Sequence, residues 1–305
     1  MTLHTDKDIF PQLIIDTSLY MRIADRAMVE KDYYITLFLS EIAKRQKNII
    51  FKGGTSLSKC HKIINRFSED LDLSLSPLTG KVTEGQRKKL KKDILDIIGE
   101  TGFFLENPDF IRSRRDFNRY VINYHPAISQ SYLAKNLIVE TSVHIMPFPN
   151  ETWEVTSYLY DYLRHMNADT QIEKYMLKPF KITVQSLERT FADKIFAIAD
   201  YYLSNKSMRL SRHIYDLHKI YPEIKFDEAF TNLVSDVRRA RKDHSACFSA
   251  QDGVNIQDIL KKIVAEDYYK QDYEQITKNM LFEDLPYSKA ITTISDVINA
   301  GSFKT

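Results

Sequence analysis

The sequence predicts an α+β protein, with a small mixed β-sheet core flanked by helices and a mostly helical C-terminal lobe behind it. Three observations predict this. Short apolar runs that end at glycines, or alternate with polar residues, fall in the first half of the chain. Amphipathic helical patterns lie on either side of those runs. From residue 186 onward the pattern is helical almost throughout.

Taken in order, residues 17–46 carry a long helical pattern. Residues 48–51 form a short apolar run ending at Gly53-Gly54, which reads as a strand. Residues 56–64 read as a helix. Leu71, Leu73 and Leu75 then alternate with Asp72, Ser74 and Ser76, the mark of a strand with one wet face. Residues 84–101 form a charged amphipathic helix, and residues 120–124 and 137–145 read as further strands. The helical second half is interrupted near residues 205–207, at Pro222 and near residues 251–253. The expected division is a core over residues 1–185 and a helical lobe over residues 186–305.

Composition bounds the function. The 305 residues suffice for one large domain or two ordinary ones, and 43% of them are hydrophobic. With 43 basic and 41 acidic residues the formal net charge is +2, so any nucleic-acid binding must come from local patches. Two distant cysteines, Cys60 and Cys247, form neither a disulfide framework nor a metal knuckle, and a reducing cytoplasm is the expected location. Charged residues interrupt every apolar run before bilayer length, and residues 1–11 lack an apolar signal core, so no membrane role is expected.

The chemistry lies in two adjacent stretches, Phe51-Lys52-Gly53-Gly54-Thr55-Ser56-Leu57-Ser58-Lys59 and Arg66-Phe67-Ser68-Glu69-Asp70-Leu71-Asp72-Leu73. Glycine is scarce here, with 8 in the chain, which makes an adjacent pair informative. Gly53 and Gly54 let the backbone turn sharply and let a bulky anion approach it. Thr55 and Ser56 then open a helix whose free N–H groups favour a phosphate, and their hydroxyls are candidate donors. Asp70 and Asp72, two apart on a strand, share one face. Two neighbouring carboxylates repel unless a cation sits between them. Mg²⁺ is the expected cation, with Mn²⁺ as the alternative, because both take oxygen ligands and Mg²⁺ binds through one or two carboxylates plus substrate phosphates. Separately, a Gly-Gly-Thr is a common turn and an Asp-Leu-Asp a common solvated strand edge; it is their combination that points to chemistry.

This combination resembles the nucleotidyltransferase superfamily that includes DNA polymerase β. More narrowly, the chain resembles the AbiEii/AbiGii-type nucleotidyltransferase toxins, which include the MenT enzymes. The narrower likeness also rests on Leu187-Glu188-Arg189-Thr190-Phe191-Ala192-Asp193-Lys194 and on Arg212-His213-Ile214-Tyr215-Asp216-Leu217. The resemblance implies transfer of a nucleotidyl group from an NTP, with release of pyrophosphate. It implies the 3′ end of tRNA as acceptor, growth inhibition or abortive infection as the outcome, and an antitoxin encoded nearby. It also implies roles for Lys194 and Asp216, carried by the helical lobe into the cleft.

The residues give partial support of their own. Leu187, Phe191, Ile195, Ile198 and Tyr202 form an apolar stripe, with Lys194 at its edge. A lysine turned toward packing needs a partner, either a triphosphate or Asp216. A structural Lys194–Asp216 ion pair, or a snorkelling lysine, is the alternative. Glu140 interrupts the apolar run Leu137-Ile138-Val139 and is the candidate third metal carboxylate; it could equally face solvent, with Asp216 in its stead. Arg66 is a candidate phosphate contact. Basic clusters at residues 87–92, 112–115 and 238–242 are either solvated helix faces or RNA contacts, and His213 and His218 read as structural or surface residues. Two other functions fit the same motifs: nucleotidyl or phosphoryl transfer to a protein, and a non-catalytic nucleotide- or RNA-binding module.

Overall fold

The computed structural model describes residues 2–68, 70–77, 80–128, 136–143, 145 and 147–304. Glu69 of the second motif, and His144 within the strand expected at residues 137–145, lie outside the described residues. The chain divides into two compact units: Met1–Cys60, Ser68–Met146 and Asn150–Val184 form the first, and His61–Phe67, Pro147–Pro149 and Gln185–Thr305 the second.

The first unit opens with α1 (Ile9–Met21) and α2 (Arg26–Arg45). The single helix expected over residues 17–46 is thus two. Arg22 caps α1 in the left-handed conformation, with φ of 58°, and Asp25 restarts the helix by accepting from the Ala27 N–H at 3.0 Å. Then come β1 (Ile49–Lys52), α3 (Gly53–Lys59), β2 (Asp70–Leu75), α4 (Glu84–Glu100), β3 (Phe104–Leu105), β4 (Phe117–Asn123) and β5 (Asn136–Ser142). The unit closes with β6 (Asn150–Val155), α5 (Tyr158–His165), α6 (Asp169–Lys174) and β7 (Phe180–Gln185). α4 begins with a full capping box between Thr83 and Gln86.

The strands form one mixed sheet in the order β3-β4-β5-β2-β1-β7-β6. β1 is antiparallel to β2 and parallel to β7, and β2 is parallel to β5. Leu71, Leu73 and Leu75 alternate onto a fully buried face, where Leu137 and Val139 of β5 and Tyr120 and Ile122 of β4 join them. That face shares a core with Val29, Tyr33, Phe38, Leu39 and Ile42 of α2. The opposite face of β2 carries Asp70 and Asp72, both half-buried.

The second unit is helical: α7 (Leu187–Leu203), α8 (Arg212–Ile220), α9 (Glu228–Lys242), α10 (Ile256–Ala265), α11 (Lys270–Gln275), α12 (Tyr287–Ala290) and α13 (Thr292–Ala300). α7 is its axis, capped by Ser186 and packed against α8, α9 and α10, with Phe191, Ile195 and Ile198 fully buried. The helix expected over residues 56–64 stops at Lys59, and Lys62 takes a positive φ of 53°. The chain then runs extended: Arg66 forms an antiparallel bridge with Leu281, the Phe67 N–H donates to Met280 at 3.1 Å and the Phe282 N–H to Asn65 at 2.9 Å. Among the described residues, no helix is long and apolar enough to cross a membrane.

Candidate active site

In the first unit, β1 delivers three buried residues, Ile49, Ile50 and Phe51, then Lys52 in an extended conformation. Gly53 follows with φ of 77°, a left-handed backbone that L side chains rarely adopt. The chain enters α3 at once. A Cβ built on Gly53 would lie 1.9 Å from Asp72 Oδ2 and 2.7 Å from its Cγ. The Asp72 carboxylate therefore rests on the bare Cα that begins α3. Register explains this, since Lys52 pairs with Asp72 across the β1–β2 ladder.

Thr55 and Ser56 are fully buried, and their hydroxyls turn inward. The Thr55 hydroxyl donates to the main-chain carbonyl of Asp70 and lies 3.0 Å from Ser68 Oγ. The Ser56 hydroxyl donates to the Gly53 carbonyl at 2.8 Å. Read from sequence as hydroxyl donors to phosphate, the two instead serve the fold: Thr55 ties α3 to β2 where Asp70 begins, and Ser56 closes the first turn of α3. What they leave for an anion is main-chain N–H.

Glu140 stands beside Asp72 in the parallel β2–β5 ladder, and Arg119 stands beside Glu140 in the antiparallel β4–β5 ladder. Lys52, Asp72, Glu140 and Arg119 therefore form one row across four strands, on one face. Arg119 Nε is 3.6 Å from Glu140 Oε1. Asp70 lies one step along the same face. Among the described residues no three His, Cys, Asp or Glu side chains are close enough to cage a metal ion. The arrangement is a carboxylate pair with a third carboxylate in the neighbouring strand.

Behind α3, Lys59 is buried and satisfied. Its ammonium pairs with Asp32, donates to Thr36 Oγ1 at 2.7 Å and to the Thr156 carbonyl at 3.3 Å. Asp32 also accepts from the Tyr158 N–H at 2.9 Å. This bolts the far end of α3 to α2 and to the start of α5.

In the second unit, Asp216 is completely buried and holds two cations. Arg66 grips it through two parallel bonds of 2.7 Å, and Lys194 Nζ lies 2.7 Å from Oδ2. The remaining terminal nitrogen of Arg66 donates to the Phe67 carbonyl at 2.9 Å. Burial alone would raise the Asp216 carboxyl, yet Arg66 and Lys194 hold it well below the usual carboxylate range. Burial pushes the Lys194 ammonium below its ordinary value, against the pull of Asp216. His213 Nδ1 is 3.4 Å from Lys194 Nζ. Burial and then the charges of Lys194 and Arg212 drive its pKa well below the ordinary histidine value, so it is neutral at pH 7. The Arg66, Lys194 and Asp216 side chains together carry one surplus positive charge.

The sequence-predicted residues thus form two sets. Gly53, Gly54, Thr55, Ser56, Asp70, Asp72 and Glu140 belong to the first unit, and Arg66, Lys194 and Asp216 to the second. Sequence reasoning missed Arg119, though the alternation Phe117-Asn118-Arg119-Tyr120 around buried Asn118 and Tyr120 marks it as facing outward. It also missed the Lys59–Asp32 bolt, whose partners are far apart in the chain. The basic clusters are largely paired. Lys88, Lys89 and Lys92 meet acidic residues one turn away on α4. Arg238 donates to the Gln251 and Val254 carbonyls, and Arg241 is held between Asp193 and Asp200.

The chain matches the AbiEii family, described as nucleotidyl transferase AbiEii toxin of type IV toxin–antitoxin systems, over residues 37–297. Among solved structures, MenT4, a nucleotidyltransferase toxin from Mycobacterium tuberculosis H37Rv, superposes with a TM-score of 0.47 at 16% identity, over 95% of this chain and 98% of that one. Among curated proteins, none matches.

Proposed function

This chain belongs to the AbiEii family of nucleotidyltransferase toxins, and from that premise we propose that it transfers a nucleotidyl group from an NTP to an RNA hydroxyl, the tRNA 3′ end, with Asp70 and Asp72 holding Mg²⁺ or Mn²⁺. Membership itself brings nucleotidyltransferase activity, an NTP substrate and an antitoxin partner. The acceptor, the metal, the residue roles and a cytoplasmic location are the proposal.

The observation that carries it is the seat of the Asp72 carboxylate against Gly53. It sets an anionic metal-ligand group directly against the glycine turn whose main chain leads into α3. The donor set fits a divalent ion that fills its shell with substrate and water oxygens: two carboxylates on one face, with Glu140 in register beside them. When bound, the ion neutralises charge developing at the α-phosphate and on the leaving group. The rest falls to the protein. The main-chain N–H groups at Gly53, Gly54, Thr55 and Ser56 bind the β- and γ-phosphates. Asp72 or Glu140 orients the attacking hydroxyl and takes its proton. The bond from the acceptor oxygen to the α-phosphorus forms as the bond to the pyrophosphate oxygen breaks. Within the second unit Asp216 holds Arg66 and Lys194 in place, two cations against one carboxylate, and the family resemblance is what assigns them to a triphosphate.

The test is incubation with total tRNA, Mg²⁺ and each α-radiolabelled NTP in turn, beside Asp72→Ala. Label on RNA that the variant abolishes is the expected result, and it identifies the base as well. Label on protein, or none on RNA, overturns the acceptor assignment.

A further inference from the structure

We propose that Phe117 and Arg119 on β4 form an acceptor subsite, where the unpaired terminal nucleotide of an RNA lays its base on the phenylalanine ring and its phosphate on the guanidinium. This rests on the reading that RNA is the acceptor.

β4 buries Asn118, Tyr120 and Ile122 and turns Phe117 and Arg119 outward. Phe117 is 47% exposed and the Arg119 side chain 56%. Single exposed aromatics are ordinary, as at Phe104, Phe110 and Phe248; what sets Phe117 apart is its place in the sheet. It lies on the carboxylate face, because Arg119 is level with Glu140 and Asp72, and Phe117 is one step further along that face. Arg119 is two strand spacings from Asp72, about 10 Å, the reach of a nucleoside from phosphorus to base.

The order of the row decides which base. Gly53 opens the phosphate cradle at the β1 end, beside Asp72. In an in-line displacement the attacking and leaving oxygens stand on opposite sides of the phosphorus. Pyrophosphate departing toward β1 requires the attacking hydroxyl to approach from the β5 and β4 side. Glu140, Arg119 and Phe117 occupy that side.

The approach to Phe117 is basic on balance, since Asp116 beside it is paired with Arg87. Arg112, Arg114 and Arg115 are exposed in the loop entering β4, and Arg114 is 87% exposed along its side chain. An exposed aromatic beside a run of arginines is the chemistry of single-strand binding: stacking on the ring and salt-dependent contact with the backbone. A duplex keeps its bases stacked on each other and gains nothing from the ring.

The test is binding of a short end-labelled single-stranded RNA, read by fluorescence anisotropy without NTP, alongside steady-state kinetics. Phe117→Ala should weaken RNA binding roughly tenfold or more, and Phe117→Trp should restore it. Arg119→Ala should weaken it and lower the salt slope by about one. In the kinetics, the KM for RNA should rise while the KM for NTP stays put. A rise in the KM for NTP alone would assign the ring to the incoming base and overturn the proposal. RNA binding indifferent to both variants, or equal binding of duplex RNA, would overturn it as well. Phe117-dependent RNA binding with no label transferred to RNA by the parent protein would sink the proposed reaction and leave the subsite standing.

Discussion

The Cα of Gly53 and the carboxylate of Asp72 occupy one contact, close enough that a methyl group on the glycine would lie 1.9 Å from an Asp72 oxygen. The carboxylate cannot stay put if that position gains a side chain. Gly53→Ala should therefore displace Asp72, and a shift of an ångström in a catalytic group costs about a hundredfold in rate. The left-handed backbone adds about 1–2 kcal/mol of destabilisation. The expected outcome is a folded protein, with a modest drop in melting temperature and near-complete loss of nucleotidyl transfer. Transfer within a few-fold of the parent would show that the Asp72 position does not matter to the reaction.

Glu140 extends this contact by one strand. Its partner Arg119 lies at 3.6 Å and is mostly exposed, so the pair contributes little to stability. Glu140→Gln should leave the denaturation midpoint close to that of the parent. If Glu140 serves as the third carboxylate, the same change should lower metal affinity or rate by about 10–100-fold. A titration of activity against Mg²⁺ separates the two effects, and an unchanged curve would reduce Glu140 to a solvated strand residue.

Why some of this was legible in the sequence and some was not follows from range. The Asp70-Leu71-Asp72-Leu73 alternation is local, and it fixed strand, face and carboxylate pairing correctly. The α+β class was legible for the same reason. The split of the first long helix was signalled by Asp25, a good N-cap, which a periodicity reading passes over. The inward turn of the Thr55 and Ser56 hydroxyls was not legible, because it depends on β2 lying against α3. Nor was the place of residues 61–67, which leave the helix after Lys59 and bond to residues 280–282, more than 200 positions away. That excursion carries Arg66 to Asp216. The short strands β3 and β6 lack strong alternation and take their form from their neighbours, whereas β7 alternates cleanly from Phe180 to Gln185 and was passed over at the expected domain boundary.

Asp216 and His213 predict how the second unit responds to acid. Asp216 is held below its unfolded value, so its contribution to stability is complete above about pH 4 and is lost as the pH falls toward its folded-state pKa. His213 stays neutral when folded, whereas the unfolded chain takes up its proton as the pH falls through about 6.5. Below that point the unfolded state binds more protons, and stability falls with pH. His213→Gln should flatten the stability curve just below pH 6.5. Asp216→Asn should cost about 3–5 kcal/mol at pH 7, since it strands two buried cations, and should remove the steeper loss in the more acidic window. Urea denaturation across pH reads both.

Lys59 and Asp32 predict a strong coupling in the first unit. Each side chain is nearly inaccessible, at 6% and 5% exposure, so removal of one leaves a buried, uncompensated charge. Lys59→Met should destabilise by about 3–5 kcal/mol. The double variant Asp32→Asn/Lys59→Met should lose clearly less than the sum of the single changes, because the charges leave together. Additive losses in a double-mutant cycle would mean that the two residues are held independently.

Arg241 and Arg114 come from two similar-looking basic clusters, and the structure assigns them opposite behaviour. Arg241 is 12% exposed, bonds Asp200 at 2.8 Å and Asp193 at 3.2 Å, and lies 5.4 Å from the Phe196 ring centre. Its loss uncovers two acidic partners and a packing face, so Arg241→Ala should cost about 3–5 kcal/mol and leave the salt slope of RNA binding unchanged in the folded variant. The Arg114 side chain meets Glu84 at 3.6 Å, in a pair open to solvent. Arg114→Ala should therefore shift stability by less than about 0.5 kcal/mol. If the loop before β4 follows an RNA backbone, the same change should lower the salt slope by about one. Guanidinium denaturation and anisotropy titrations at several salt concentrations measure the two effects separately. A drop in stability for Arg114→Ala, or a drop in salt slope for Arg241→Ala, would reverse the assignment of charge to structure and to binding.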